Sequence, residues 1–175
     1  IEKDEIKAVV KTLKSPILVH GPKLKIFEKK FSKFCGSKYA ISVSSCTAGL
    51  HLLYFSLNIS SGDEVIVSSQ THTATAHAIE LSGAKPIFVD SNLENGNIDT
   101  NLIERKITKK TKAICIVHYL GIPADLPIIK KICKKYNLFL IEDCALSIGS
   151  KINNLHVGNI GDAGVFSFYP VKHMT

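Results

Sequence analysis

The hydrophobic and polar positions of this 175-residue chain follow two recurring patterns. Short continuous apolar runs are typical of strands buried on both faces of a parallel sheet. Stretches with apolar residues three or four positions apart are typical of amphipathic helices. The predicted strands cover residues 39–43, 64–67, 86–90, 113–117, 138–141 and 164–168. The predicted helices cover residues 3–14, 24–35, 48–55, 70–81, 100–107 and 126–136, and residues 150–157 predict a small hairpin.

The order of these elements predicts the fold class. Strands and helices alternate along the chain, which indicates an α/β fold: three-layer αβα with a mainly parallel sheet. Right-handed crossovers place the carboxyl ends of such strands along one edge of the sheet. Because ligands of open α/β sheets bind outside that edge, the residues that follow each strand are the candidates for a functional site.

Charge and composition exclude several classes of protein. The net charge is +7, from 22 Lys+Arg against 15 Asp+Glu. The excess lies mostly in lysine pairs on helix faces, which favours a solvated surface over nucleic-acid binding, although an anionic small substrate would also profit from it. The five cysteines lack metal-ligand spacing, so we expect reduced thiols in the cytoplasm and no metal. No apolar run is long enough for a membrane span, and we expect no signal peptide.

Lys172 is the first candidate for chemistry. Pro170 cannot continue a central strand, so the chain must turn there and present Lys172 beyond the carboxyl end of the last predicted strand. A lysine held on such a turn can lose its proton and attack a carbonyl, which gives a Schiff base. The alternative is a solvated surface lysine.

Two further strand ends carry candidates for ligand binding. Ser45-Cys46-Thr47 forms a strand-to-helix turn, where unpaired N–H groups and the helix dipole suit a phosphate. The alternative is an ordinary helix cap. His72 also lies between a strand and a helix, where its ring could stack on a planar ligand.

These candidates together match the needs of a lysine-bound cofactor that has a phosphate and a pyridine ring. Residues 45–47 and the hydroxyl of Ser167 would hold the phosphate. Asp143 would keep the pyridine nitrogen protonated, because a buried carboxylate persists only when it is paired. His72 would lie over the ring, and Lys172 would supply the amine.

Seven stretches spread over nearly the whole chain carry a resemblance to one enzyme family. They are Gly21-Pro22 with Phe27-Glu28; residues 43–48; residues 62–66; residues 83–86; residues 111–114 with His118, Gly121 and residues 123–125; residues 142–145; and residues 166–168 with Pro170 and Lys172. In these stretches the chain resembles the nucleotide-sugar aminotransferases with pyridoxal phosphate, the DegT/DnrJ/EryC1/StrS group of fold-type I enzymes.

The resemblance implies a role for each candidate residue. Lys172 forms the internal aldimine with pyridoxal phosphate, and Asp143 meets the pyridine nitrogen. Ser167 and the backbone at Cys46-Thr47 hold the phosphate, and His72 occupies the position of the ring-stacking aromatic. Leu146 departs from the family pattern, because a glutamine that contacts the ring hydroxyl is common at that position.

Length is the larger departure, because members of the family are about twice as long. The resemblance therefore implies that residues 1–175 are a truncated large domain of the aspartate aminotransferase-like fold. The rest of the large domain and the small domain would be absent, and the piece alone would be inactive. It also implies a homodimer in which the partner subunit completes each site.

The implied activity is transfer of an amino group from an amino acid, glutamate, to a keto group of a nucleotide-linked deoxysugar for cell-surface polysaccharide or related glycan biosynthesis. One alternative is a pyridoxal-phosphate-dependent nucleotide-sugar dehydratase. Lys172 speaks against that alternative, because some such relatives carry histidine there. The other alternative is a non-catalytic fragment or regulatory relative that only binds partners.

Overall fold

A five-stranded parallel sheet lies at the centre of the chain from Val43 onward. The computed structural model describes residues 1–174. Its sheet contains β1 (Glu64–Ser68), β2 (Lys85–Val89), β3 (Thr111–Val117), β4 (Phe139–Asp143) and β7 (Ala163–Val165), in the order β2-β1-β3-β4-β7. A separate antiparallel hairpin is formed by β5 (Lys151–Ile152) and β6 (Leu155–His156), with Asn153 and Asn154 at positive φ in its turn.

Four α-helices accompany this sheet in the described residues from Val43 onward. They are α3 (Cys46–Ser56), α4 (Thr73–Leu81), α5 (Thr100–Ile103), which continues into a 3₁₀ turn at Glu104–Lys106, and α6 (Leu126–Tyr136). Local signals fix their ends. The Asp125 side chain accepts a hydrogen bond from the Ile128 N–H and caps α6, and Asn137 ends that helix in the left-handed conformation.

Residues 1–42 form a unit of their own with two helices, α1 (Lys3–Leu13) and α2 (Pro22–Cys35). Pro22 stands in the first turn of α2, where its missing N–H costs nothing. Gly36 ends the helix with φ at 74°, a conformation that glycine adopts without strain. Among the residues placed in the structure, no helix has both the length and the hydropathy needed to cross a membrane.

Two hydrophobic layers confirm the predicted three-layer αβα architecture. Alternate residues of a strand point to opposite faces of a sheet. On one face, Val65, Val67 and Cys115 pack with Leu50 and Tyr54 of α3 and Ile79 of α4. On the other face, Ile66, Ile114 and Ile116 pack with Ile103 of α5 and Leu126 and Ile129 of α6. All of these residues are buried, so β1 and β3 at the centre of the sheet are covered on both faces.

The predicted strand at residues 39–43 is wrong. Residues 37–45 contain neither helix nor strand, and the side chains of Tyr39 and Ile41 are 72% and 81% exposed. The apolar pattern was present, but a strand exists only when a neighbouring strand supplies its hydrogen bonds. None of the strands in the described part of the chain does so.

The last strand is shorter than the predicted 164–168. It covers Ala163–Val165 because its neighbour β4 ends at Asp143, which is paired with Val165. Beyond Val165 the strand does not continue, and residues 166–169 have no regular secondary structure. The helix predicted from residue 70 begins at Thr73, because His72 is its cap.

Candidate functional site

Asp143 lies at the centre of the candidate site. It is the last residue of β4, it is 5% exposed, and β3 and β7 flank it on either side. Its Oδ2 accepts a hydrogen bond of 2.8 Å from the Thr75 hydroxyl, and its Oδ1 accepts one of 3.0 Å from the Ala145 N–H. Two donors from different elements therefore fix the orientation of this buried carboxylate.

The electrostatic environment of Asp143 favours a cation next to its carboxylate. Burial raises the pKa of Asp143 above its ordinary value. The hydrogen bonds from Ala145 and Thr75 and the ammonium of Lys172 act in the opposite direction without offsetting it. The protein thus holds an acid group whose ionised form would gain from a cation placed against it.

Lys172 stands on a turn close to this carboxylate. Its N–H donates to the carbonyl of Tyr169 at 2.8 Å and closes a turn around Pro170, as predicted from the sequence. The side chain is half-buried. Its charge acts on both Asp143 and Cys46, lowering the pKa of each against the effect of burial. The structure therefore places the Cys46 sulfur against Asp143 and places Lys172 within electrostatic reach of both.

The turn at Ser45-Cys46-Thr47 opens α3 beside Asp143. Ser45 is an ordinary helix cap, since its hydroxyl accepts a hydrogen bond of 3.1 Å from the Ala48 N–H. The N–H groups of Cys46 and Thr47 lead the first turn, where a helix offers no internal acceptor. The Cys46 sulfur lies 4.0 Å from Oδ1 of Asp143, so the positive end of α3 is at the site.

Close packing holds the first turn of α3 against β7. A Cβ at Gly49 would lie 2.7 Å from the Val165 side chain, so only glycine lets the helix approach β7 this closely. The Cys46 sulfur lies 4.0 Å from the Val165 carbonyl oxygen.

Burial, and then the charge of Asp143, raises the pKa of the Cys46 thiol to about 12, although the charge of Lys172 acts in the opposite direction. The thiol is therefore protonated at neutral pH.

His72 caps the helix that carries Thr75. Its Nδ1 accepts a hydrogen bond of 3.1 Å from the Ala74 N–H, and its side chain is exposed. Thr75 follows one turn later and reaches Asp143. The capping bond fixes the position of the imidazole at the start of α4. Its stacking on a ligand stays a prediction.

Ser167 lies in the segment between β7 and Lys172. Its hydroxyl accepts a hydrogen bond of 3.3 Å from the Tyr169 N–H, so it helps to shape the turn that carries the lysine. Its contact with a phosphate stays a prediction. Leu146 lies in the turn that follows Asp143 and has no polar side-chain atom for a ring hydroxyl.

Sequence reasoning missed three polar residues around Asp143. Thr75 donates to its carboxylate, while His118 and Glu142 form a buried pair with Nε2 and Oε2 3.0 Å apart. The available signal was polarity in an apolar setting. Thr75 lies one turn after His72, and His118 and Glu142 stand at or just beyond the ends of continuous apolar strands.

The donor atoms of His118, Glu142 and Cys144 lie within 4.8 Å of one another, the spacing of a metal site. Hydrogen bonds already occupy the ligand atoms of the first two. Four donors fill the Glu142 carboxylate, and Nδ1 of His118 accepts from the Ala124 N–H. Burial raises the pKa of Cys144 well above its ordinary value, so its thiol holds its proton. This chemistry does not fit a cation.

Comparison with known proteins identifies the family of the chain. The sequence model of the DegT/DnrJ/EryC1/StrS aminotransferase family matches residues 1–175. The chain belongs to the DegT/DnrJ/EryC1/StrS aminotransferase family. The resemblance predicted from the sequence motifs is thereby confirmed, and the site described above is the candidate active site of a family member.

Three relatives of the family illustrate the similarity. The chain is 46% identical over 155 residues to GDP-perosamine synthase of Escherichia coli O157:H7, covering 89% of this chain and 43% of that protein. It is 43% identical over 167 residues to dTDP-3-amino-3,6-dideoxy-alpha-D-galactopyranose transaminase of Aneurinibacillus thermoaerophilus, covering 95% and 46%. The PLP form of the putative sugar aminotransferase Spr1654 from Streptococcus pneumoniae superposes with a TM-score of 0.95 at 33% identity, covering 100% and 48%. The chain thus spans under half the length of these relatives.

We predict that Thr75→Val destabilises the protein in a pH-dependent way. The variant leaves Oδ2 of Asp143 without its donor, so the pKa of Asp143 should rise further. We expect a loss of about 1–3 kcal/mol in the free energy of unfolding at neutral pH, the usual cost of removing one partner of a buried polar group. The loss should shrink as the pH falls, because a protonated carboxyl depends less on the donor.

Urea unfolding at neutral and at acidic pH measures this effect. Thr75→Ser keeps the hydroxyl and serves as the control, which should retain the wild-type pH dependence. An equal loss of stability for Thr75→Val at both pH values would contradict a role of Thr75 in holding the ionised carboxylate.

Proposed function

We propose that this chain is the cofactor-binding part of a pyridoxal-phosphate-dependent aminotransferase that moves an amino group from an amino acid to a keto group of a nucleotide-linked deoxysugar. The observation that carries the proposal is the buried Asp143, which lies at the same strand ends as the start of α3 and the charge of Lys172. The two relatives named for a GDP-linked and a dTDP-linked sugar support the substrate class.

The residues fit the chemical groups of the cofactor. The Asp143 carboxylate would accept a hydrogen bond from the protonated ring nitrogen, which supplies the cation that its electrostatics favour. The N–H groups of Cys46 and Thr47, at the positive end of α3, would hold the phosphate together with the Ser167 hydroxyl. Ser45 contributes by capping the same turn, and His72 would lie over the ring.

Lys172 would perform the proton transfers. When bound, the cofactor supplies a cationic ring that withdraws electrons from the Cα of the amino acid. Nζ of Lys172 would hold the cofactor at rest and, once the amine of the amino acid has displaced it, would be the free amine that accepts the proton of Cα and passes it on. The reverse steps would deliver the amino group to the keto sugar, with glutamate as the proposed donor.

The proposal extends to the assembly that carries out turnover. Relatives about twice as long support a protein in which the rest of the large domain and a small domain complete the site. We further propose that a second subunit of a homodimer contributes to it. By this proposal the 175-residue chain alone binds the cofactor without turnover. Five free cysteines and a nucleotide-linked substrate support a cytoplasmic enzyme of polysaccharide or related glycan biosynthesis.

Titration of the chain with pyridoxal phosphate tests the site. We expect a shift of the visible absorbance band and, after reduction with borohydride, one modified lysine, identified as Lys172 by peptide mass spectrometry. Absence of a spectral shift, or label spread evenly over the surface lysines, would contradict the proposed site.

Product analysis of a longer protein that contains this chain tests the reaction. Incubation with glutamate and a nucleotide-linked keto sugar should yield the amino sugar and 2-oxoglutarate. A deoxygenated sugar without an amine would identify a dehydratase instead, and no product would favour a non-catalytic relative.

A further inference from the structure

Glu142, the residue before Asp143, is a buried carboxylate with a complete set of donors. Its Oε2 accepts from the Gly158 N–H at 2.7 Å and lies 3.0 Å from Nε2 of His118. Its Oε1 accepts from the Ile160 and Gly161 N–H groups at 2.9 and 2.6 Å. Two oxygens offer about four lone-pair sites, so these four donors saturate the group.

His118 is oriented for this bond by its other ring nitrogen. Nδ1 accepts a hydrogen bond of 3.1 Å from the Ala124 N–H, so the proton of the neutral ring lies on Nε2 and is donated to Glu142. Both side chains are completely buried. Burial raises the pKa of Glu142, but the hydrogen bonds from His118, Gly161 and Gly158 outweigh it and hold that pKa below its ordinary value.

Three of the four donors come from one segment, residues 158–161, here called the glycine loop. The loop is in backbone contact with the last two strands of the sheet. A Cβ at Gly161 would lie 2.5 Å from the Leu140 carbonyl oxygen in β4, and a Cβ at Gly164 in β7 would lie 2.3 Å from Cα of Gly158. Movement of the glycine loop would therefore move β7 with it.

The glycine loop leads directly into the segment that carries the lysine. Within β7, Gly164 is paired with Glu142 and Val165 with Asp143. Lys172 follows seven residues after Val165, on the turn that its N–H closes with the Tyr169 carbonyl. Adjacent residues of β4 thus have separate tasks, since Asp143 faces the proposed cofactor while Glu142 holds the loop at the start of the lysine segment.

We propose that Glu142, oriented by His118, is a positioning residue that fixes the glycine loop and thereby sets the place of Lys172 relative to Asp143. This inference rests on the proposed function. The four hydrogen bonds come from His118 on one side and the glycine loop on the other, and they hold the Glu142 carboxylate in one position. Glu142 is therefore not a reacting group, because its acceptor sites are all used and none is left for a substrate.

Glu142→Gln in the 175-residue chain tests the proposal. The amide has nearly the same shape, but its NH₂ group turns a donor toward the loop N–H groups and leaves some of them without an acceptor. We expect the rate of borohydride-trapped labelling of Lys172 by pyridoxal phosphate to fall about 10-fold to 100-fold, the scale of a misplaced reacting group. Labelling of exposed lysines should stay unchanged.

Two matched controls separate positioning from general destabilisation. Ile59→Val removes a methyl group from the core layer on the opposite face from Ile160, and lowers stability in a layer to which no residue of the glycine loop belongs. Glu104→Gln makes the same chemical change at an exposed site. Both should label Lys172 at the wild-type rate. Wild-type labelling in a folded Glu142→Gln variant would overturn the proposal.

Amide hydrogen exchange of the wild-type chain supplies a test that needs no mutation. The N–H groups of Gly158, Ile160 and Gly161 should exchange far more slowly than those at the exposed hairpin tip, Asn153 and Asn154. Equal exchange would overturn the proposal even if Glu142→Gln fails to fold. Failure of the wild-type chain to label Lys172, together with slow exchange of these amides, would instead reject the proposed function and leave the loop contact standing.

Discussion

Lys172→Ala is expected to abolish covalent capture of pyridoxal phosphate by this chain. Lys172 stands half-buried on the turn closed by the Tyr169 carbonyl, and its charge acts on the Asp143 carboxylate. We expect loss of the borohydride-stable adduct and of the visible band. Reversible binding should persist in weakened form, because Asp143 and the start of α3 are unchanged.

Absorbance spectra and peptide mass spectrometry measure this outcome. Lys151→Ala, which removes an exposed lysine from the hairpin, is the control and should behave like the wild type. In a longer protein with turnover, Lys172→Ala should lower kcat by at least about 10²–10⁴-fold, the contribution of a positioned acid–base group. Retention of the adduct or of turnover would refute the assignment of Lys172.

Much of the fold could be predicted because the strands of the centre carry their own signal. The runs that became β3 and β4 are apolar without interruption, as burial on both faces requires, and they appear at the predicted places. The predicted ends of two helices, at residues 35 and 136, agree with the structure, where Gly36 and Asn137 end α2 and α6 through local chemistry. Such features depend on neighbours in sequence.

Features that depend on distant neighbours were not predictable in the same way. The segment 39–43 has the pattern of a strand, yet no strand in the described part of the chain pairs with it. The length of β7 is set by the end of β4, more than twenty residues earlier. A hydrophobic pattern states which face is buried, but it does not state which partner is present.

The residues of the candidate site show the same difference between features set by sequence neighbours and features set by distant residues. Asp143 was predictable as an acid at the end of a buried strand, and Lys172 as a residue beyond a turn fixed by Pro170. Thr75 was not, because its bond to Asp143 joins residues 68 positions apart. The four hydrogen bonds to the Glu142 carboxylate come from donors that only the tertiary structure brings together. Sequence therefore indicated the groups that would react, but not the groups that orient them.

Asp143→Asn is expected to separate stability from function. In the chain without cofactor, burial makes the ionised carboxylate unfavourable and raises the pKa of Asp143. An asparagine keeps an acceptor for the Ala145 N–H, and its NH₂ group can donate to the Thr75 hydroxyl, which can bond Thr71 in turn. We expect the free energy of unfolding at neutral pH to rise by about 1 kcal/mol, the scale of other stabilising replacements at functional sites.

The pH dependence of this gain follows from the direction of the pKa shift. A group whose pKa is raised on folding stabilises the protein while it is protonated, and this contribution is lost as the pH rises from the unfolded pKa through the folded one. The free energy of unfolding of the variant should therefore equal that of the wild type at acidic pH. It should exceed that of the wild type at pH values above the folded pKa of Asp143. Asp125→Asn, an exposed helix cap where both residues cap well, is the control and should show no such gain.

The same replacement should damage cofactor chemistry. Without a carboxylate at position 143 the ring nitrogen loses the charge that keeps it protonated, so the ring withdraws electrons less strongly. In a longer protein we expect kcat to fall about 10²–10³-fold, the usual loss when a preorganised electrostatic group is removed. Denaturation curves across pH and steady-state rates measure the two effects. A variant that is less stable at neutral pH, or one that keeps its rate, would contradict the assignment of Asp143. Both expected effects have the same origin, a buried carboxylate that is unfavourable without a cation and that a bound protonated ring would stabilise.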